Sequence, residues 1–190
     1  MKRLFIAIHF QAAPELSELL ENLARKLKHE RINWVQPGNL HLTLKFIGET
    51  ADERINDIVT VMQQAADNQN KFAFNLDKIG IFGSSYNPRV LWIGSMETVP
   101  QMLILANTIL DGCDAIGFPR DRQNFVPHLT LGRIKGLNDK KFFQQVMQKI
   151  PQQHFQQSEV NEIRLYESIL RKEGPIYVVQ KTVMLKDLKI

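Results

Sequence analysis

Cysteine is nearly missing from this 190-residue chain, with Cys113 the only one. An internal disulfide and a cysteine-based zinc site are therefore both excluded. Cys113 closes a helical run in Asp111-Gly112-Cys113-Asp114 and is expected to be a buried helix-end thiol. No apolar run approaches the roughly 20 residues that a bilayer span needs. The opening Met1-Lys2-Arg3 and its short apolar stretch, broken by Gln11 and Pro14, are too brief for a signal peptide. A cytoplasmic protein with no membrane partner is expected. There is no Gly-x-Ser-x-Gly elbow for a serine hydrolase. The cluster Gly83-Ser84-Ser85-Tyr86-Asn87-Pro88 lacks the Lys-Ser/Thr ending of a P-loop and reads as a connecting loop. Charge of one sign is only mildly in excess, 24 Lys and Arg against 20 Asp and Glu. That balance permits a phosphate-bearing partner without demanding one. The excess gathers between 117 and 141, where Arg120, Arg122, Arg133, Lys135, Lys140 and Lys141 outnumber Asp121 and Asp139.

One short motif is present twice. Leu40-His41-Leu42-Thr43-Leu44 returns as Pro127-His128-Leu129-Thr130-Leu131, with the two histidines 87 positions apart. In an extended strand alternate side chains point to opposite faces. Each His therefore shares a face with the Thr two residues on, while the leucines bury the other face. Sliding the chain along itself by the same 87 residues sets Leu4-Phe5-Ile6 on Leu91-Trp92-Ile93, Leu16 on Leu103 and Leu23 on Leu110. An internal duplication follows, too long in period for a solenoid.

Each half reads strand, helix, His-x-Thr strand, helix, strand, strand. Residues 4–9 form a buried strand ending at His9, which is treated as structural. Pro14 opens a helix whose Leu16, Leu19, Leu20, Leu23 and Leu27 repeat at helical spacing. Residues 34–39 form a turn. Thr50-Ala51-Asp52-Glu53 has capping-box spacing for a second helix, and Asn138 is placed to cap the last one. Strands are expected at 72–76, 79–82, 90–93, 159–168 and 176–185. The expected architecture is α+β: one domain spanning 1–190, a bilobal duplication with halves about 1–86 and 87–190. Two antiparallel sheets face a central cleft with helices on the outside. Strict alternation sends Lys45 to the cleft and Phe46 to the core. Arg133 falls on the leucine parity and reaches the cleft only if Gly132 marks a bulge or strand end. Trp34, Tyr86 and Phe125 are aromatic residues to which the pattern assigns no direction.

Two facing histidines suit a reaction that takes a proton from one oxygen and gives one to another, since imidazole titrates near neutrality. Two threonine hydroxyls can hold non-bridging phosphate oxygens, and a nearby Lys or Arg offsets the charge that grows there. Phosphoester hydrolysis without a metal is the chemistry implied. A hydrolytic metal would want further His or carboxylate ligands where these strands supply hydroxyls.

These features carry a family resemblance. The paired His-x-Thr motifs resemble those of the 2H phosphoesterase superfamily. Within it the chain is similar to the LigT-type RNA 2′,3′-cyclic phosphodiesterases, also called 2′-5′ RNA ligases. The likeness extends over Arg3-Leu4-Phe5-Ile6-Ala7, residues 39–49, Arg89-Val90-Leu91-Trp92, residues 127–133, and Leu165-Tyr166-Glu167-Ser168 ahead of Gly174 and Tyr177. It implies a bilobal fold with a central cleft, no metal or other cofactor, and RNA ends bearing a 2′,3′-cyclic phosphate, such as tRNA fragments, as partner; a monomer is expected. It carries catalytic roles onto His41 and His128, phosphate binding onto Thr43 and Thr130, and a supporting charge onto Arg133. It further suggests His41 as the acid, His128 as the base and a 2′-phosphate product, with 2′-5′ ligation, the reverse of transesterification, as an incidental activity. Two alternatives stand beside it: a phosphodiesterase for a small cyclic nucleotide such as ADP-ribose 1″,2″-cyclic phosphate, and a non-catalytic binder of RNA ends.

Overall fold

The computed structural model describes residues 1–84, 86–121, 124–151, 153–171 and 174–187. Ser85 of the Gly/Ser loop, Arg122 of the basic stretch, Gln152, and the turn residues Lys172 and Glu173 lie outside them. Ten strands are described: β1 Lys2–His9, β2 Arg31–Trp34, β3 His41–Thr50, β4 Phe72–Leu76, β5 Lys78–Gly83, β6 Pro88–Gly94, β7 Leu129–Gly136, β8 Gln156–Val160, β9 Glu162–Arg171 and β10 Gly174–Met184. Four helices accompany them: α1 Pro14–Lys26, α2 Ile55–Asp67, α3 Pro100–Ala115 and α4 Lys140–Gln148. None of the described helices is long and apolar enough to cross a membrane.

The strands run in the order β10-β9-β1-β3-β7-β6-β5, with β2 also on β7 and β4 paired separately with β8. All of these named-strand pairs are antiparallel. The long sheet is two blocks, β10-β9-β1-β3 and β5-β6-β7-β2, joined by the single register pair Leu42 to Leu129. Exchanging β1 with β6, β3 with β7 and β5 with β9 leaves the inner order unchanged, which is the two-fold pattern of an internal duplication. The halves do not keep their own strands, however. β9, from the second half, pairs with β1, while β5, from the first, pairs with β6.

The register also corrects the uniform slide of 87. Ala7 pairs with Thr43 and Trp92 pairs with Thr130, so these two residues are counterparts, 85 positions apart. The helices match at 86: Leu16, Leu20, Leu23 and Leu27 are buried along α1 and just past its end, as are Met102, Ala106, Ile109 and Cys113 along α3. Only the motif strands match at 87. The connections from the first strand to its helix and from that helix to the motif strand are each one residue longer in the second half, which a constant slide cannot detect.

The helices bury their apolar stripes against the leucine face of the motif strands, in one core that contains Leu40, Leu42, Leu44, Leu129 and Leu131. Each fully buried leucine contributes about 1.5–3 kcal/mol. Cys113 is fully buried in this core, as expected of an inert thiol, and burial pushes its pKa up to about 11. Two caps differ from expectation. Thr50 is buried and donates its hydroxyl to the carbonyl of Gly48, and a 3-10 turn over Asp52–Arg54 leads into α2 with no side-chain cap. At α4 it is Asp139 that accepts from the Phe142 amide, while Asn138 reaches the carbonyl of His29.

Candidate active site

Each motif strand carries a β-bulge at the same place. Between β1 and β3 the pairing passes from Ile6–Lys45 to Ala7–Thr43, leaving Leu44 unpaired. Between β6 and β7 it passes from Leu91–Gly132 to Trp92–Thr130, leaving Leu131 unpaired. A bulge inserts one residue and resets the alternation of faces. Before it, His41 and Thr43, or His128 and Thr130, point to the cleft. After it, the third cleft-facing position becomes Phe46 in β3 and Arg133 in β7.

This overturns two expectations made from strict alternation. Lys45 does not join the cleft: it is 3% exposed, and its ammonium donates to the Pro119 carbonyl at 2.7 Å and to Asp121 at 3.2 Å. Phe46 is not core but 44% exposed, with the Arg3 guanidinium 5.0 Å from its ring centre. Arg133 does reach the cleft, as the bulge condition required. Gly132, the counterpart of Lys45, has no room for a side chain, since a Cβ there would press on Ile32 and Trp34 where β2 crosses β7.

His41, Thr43, His128, Thr130 and Arg133 all line one cavity of about 520 Å³ between the two blocks. Arg3, Phe5, Phe46, Leu170 and Tyr177 complete most of the wall on the first block. Sequence pattern missed these five. Phe46 needed the bulge, and Leu170 and Tyr177 arrive on the β9–β10 hairpin, whose place beside β1 is a long-range pairing. Of the unassigned aromatics, Trp34 is half-buried against the core, Tyr86 is exposed, and Phe125 lines a different cavity.

The two imidazoles are held alike. The Nδ1 of His41 lies 2.7 Å from the carbonyl of Asn39, and the Nδ1 of His128 lies 2.7 Å from the carbonyl of Val126. A carbonyl can only accept, so in each ring Nδ1 carries the proton and Nε2 is left for a substrate. Aromatic rings restrain both: Phe5 and Tyr177 each stand 5.1 Å from His41, and Phe82 stands 4.7 Å from His128. Burial holds the His41 pKa below the ordinary imidazole value, the Asn39 carbonyl opposes this, and Arg133, His9 and His128 add to the lowering. His128 is lowered chiefly by burial, opposed by the Val126 carbonyl and assisted by Arg133.

His9, the register partner of His41 on β1, lines a smaller pocket with Arg164, Tyr166 and Tyr177. Its own pKa is lowered by burial and by Arg164, against the pull of Glu162. Among the described residues no three His, Cys, Asp or Glu side chains are grouped so as to hold a metal ion. Two imidazoles, two hydroxyls and two guanidinium groups around one open cavity suit an anionic phosphodiester with a proton to be moved on either side of phosphorus.

The family described as LigT like Phosphoesterase matches this chain twice, over residues 6–92 and 93–177. A protein of Aquifex aeolicus, named RNA 2′,3′-cyclic phosphodiesterase, is 31% identical over 182 residues, covering 94% of this chain and 96% of the relative. One of the same name from Methanocaldococcus jannaschii is 33% identical over 180 residues, covering 94% and 98%. Among solved structures, E. coli LigT complexed with 3′-AMP superposes with a TM-score of 0.79 at 26% identity, covering 98% of this chain and 99% of that one.

Proposed function

Because this chain belongs to the LigT-like phosphoesterase family, we propose that it hydrolyses RNA 2′,3′-cyclic phosphate ends to 2′-phosphomonoesters, with His41 and His128 as its acid–base pair. The observation that carries this is the matched anchoring of the two imidazoles, each with Nδ1 on a backbone carbonyl so that Nε2 is left for a substrate, and each lining the same cavity as the threonine of its own strand. The names of the relatives support the substrate class.

In the reaction, Nε2 of neutral His128 takes a proton from water as the water oxygen bonds to phosphorus. The bond from phosphorus to the ribose 3′ oxygen breaks, and that oxygen receives the proton from Nε2 of the His41 imidazolium. Thr43 and Thr130 donate to the non-bridging oxygens, and Arg133 offsets the negative charge that builds on them. Phosphate binding also favours the acid form: an anion beside His41 raises its pKa, so that the ring takes up from solvent the proton that burial alone disfavours. The exposed face of Phe46 offers a stacking surface for the terminal base. The whole chain acts as one bilobal domain, and both motifs and Arg133 come from a single copy, so no second copy is needed to complete the site.

Phosphorus NMR of the product from a cyclic-ended oligonucleotide tests the proposal. A 2′-phosphate is expected, with turnover lost in His41→Ala and in His128→Ala. A 3′-phosphate would reverse the assignment of acid and base. Turnover of ADP-ribose 1″,2″-cyclic phosphate but not of cyclic-ended RNA would replace the substrate, and binding without turnover would leave only an RNA-end binder.

A further inference from the structure

The cleft holds two guanidinium groups, and only that of Arg133 belongs to the duplicated machinery. Arg133 and Phe46 are counterparts, each the third cleft-facing position of its motif strand. Arg3 has no such equivalent. The offset of 85 that relates β1 to β6 sets it against Pro88, which is buried. A cation present on one side alone is not part of the symmetric clamp around the reacting phosphorus.

Its place follows from the ladder. Along β1, Ala7 pairs with Thr43, Phe5 pairs with Phe46, and Arg3 comes two residues beyond, at the outer end. Two residues of strand advance about 6.6 Å, so the wall has three levels: a motif hydroxyl, an exposed aromatic ring and a cation. The guanidinium lies over that ring, a cation–π contact that restrains it. Electrostatics set the two cations at different depths. His41 and His128, lowered chiefly by burial, are lowered further by Arg133 but not by Arg3, whereas the Tyr177 hydroxyl, raised by burial, is opposed by both. The Arg3 charge is therefore in the cleft but away from the imidazoles. Nothing neutralises it: among the described residues it makes no ion pair or hydrogen bond, and no carboxylate lines the cavity. Glu49, its register partner on β3, is exposed and unpaired with it, and Glu167 on β9 goes to Lys2.

We propose that Arg3 binds the phosphate on the 5′ side of the terminal nucleotide, the link that joins it to the rest of an RNA strand. This rests on the reading of the cleft as the seat of a cyclic-ended RNA terminus and extends it. The terminal nucleotide runs in the same order as the wall: cyclic phosphate, nucleoside and 5′ phosphate against Thr43, Phe46 and Arg3. The guanidinium presents its N–H donors in a fixed plane that matches two phosphate oxygens. Its contact with Phe46 holds it in place beforehand, so little ordering is left to be done on binding. A terminus attached to a chain is thereby distinguished from a free cyclic nucleoside without a 5′ phosphate. The competing seat for that phosphate is a basic groove at the ends of β6 and β7, lined by Arg89, Lys135 and Lys140, which shares no lining residue with the cleft.

Calorimetric titration of the full-length protein with adenosine 2′-phosphate and adenosine 2′,5′-bisphosphate tests this, since the two ligands differ only in the 5′ phosphate. The bisphosphate is expected to bind about tenfold more tightly, the lower end of what a charged hydrogen bond contributes. Arg3→Gln should bring the two affinities together, Arg3→Lys should keep part of the gap, and Lys140→Gln should leave the gap as it is. In turnover, adenosine 2′,3′-cyclic phosphate bearing a 5′ phosphate should have the lower KM of the pair in the wild type and lose that advantage in Arg3→Gln. Equal affinities in the wild type, or no binding of the bisphosphate at millimolar concentration, overturns the proposal. So does a gap that survives Arg3→Gln, a gap lost in Lys140→Gln, or an Arg3→Gln effect of the same size on both ligands. Failure to turn over any cyclic-ended substrate, with the gap and its dependence on Arg3 intact, would instead overturn the hydrolytic reading and leave the Arg3 contact standing.

Discussion

Thr43 and Thr130 each bring one hydroxyl to the cavity that holds the two imidazoles. A hydrogen bond to a charged phosphate oxygen is worth about 1.5–3 kcal/mol, so Thr43→Ala or Thr130→Ala should slow turnover roughly 10- to 200-fold. Single-turnover rates check this, and wild-type rates in both variants would remove the clamp role. The histidines make a second prediction. Burial lowers the pKa values of His9, His41 and His128 below 6.5, so the unfolded chain binds these protons more readily than the folded one. The stability linked to them is complete above pH 6.5 and is lost as pH falls from there through the lowered folded values. Denaturation midpoints should drop on acidification across that window, and a flat profile would contradict the burial. In the rate, the acid limb for free enzyme should likewise lie below the ordinary imidazole range, because the pair titrates as a unit in a buried site.

Lys45 shows how an element, rather than a residue, decides what reaches a site. The bulge at Leu44 turns its ammonium away from the cleft to tie β3 to the segment around Pro119 and Asp121. Lys45→Met should therefore cost about 1.5–3 kcal/mol of stability through the lost charged hydrogen bond while leaving turnover within a few-fold. Urea unfolding and kcat, measured side by side, separate the two effects. A period of two was enough to gather His41, Thr43, His128 and Thr130 on one face, so the chemical center of the site was legible in the sequence. Its rim was not. Leucine carries no bulge signature, and alternation continued past Leu44 exchanges Lys45 with Phe46; only Gly132 hinted that Arg133 could turn inward. β2 escaped notice because four residues beside a Pro-Gly turn carry too little periodicity to distinguish a strand from a turn.

At the scale of the whole molecule the two blocks are tied by exchange, with β9 closing the sheet of the first half and β5 that of the second. Residues 1–86 or 87–190 alone leave β1 or β6 with an open edge and a core half uncovered. Each fragment made separately should be unfolded by far-UV circular dichroism, and mixing the two should restore both the signal and the activity. Independent folding of either would contradict the exchange as a condition of stability. None of this was legible beforehand: the order of strands and helices reveals two like halves, but the choice of edge for β5 and β9 is a contact between residues far apart in the chain.

The same exchange bears on descent. A half-length forebear with one His-x-Thr strand could have closed its sheet only by lending its last strand to a second copy and borrowing that copy's in return. Such a pair would have held two identical histidines across its symmetry axis, with neither committed to giving or taking the proton. Joining such copies end to end would remove that equivalence, and the two sides of the present chain do differ, with Trp92 over Gly80 on one and Ala7 beside Arg164 on the other.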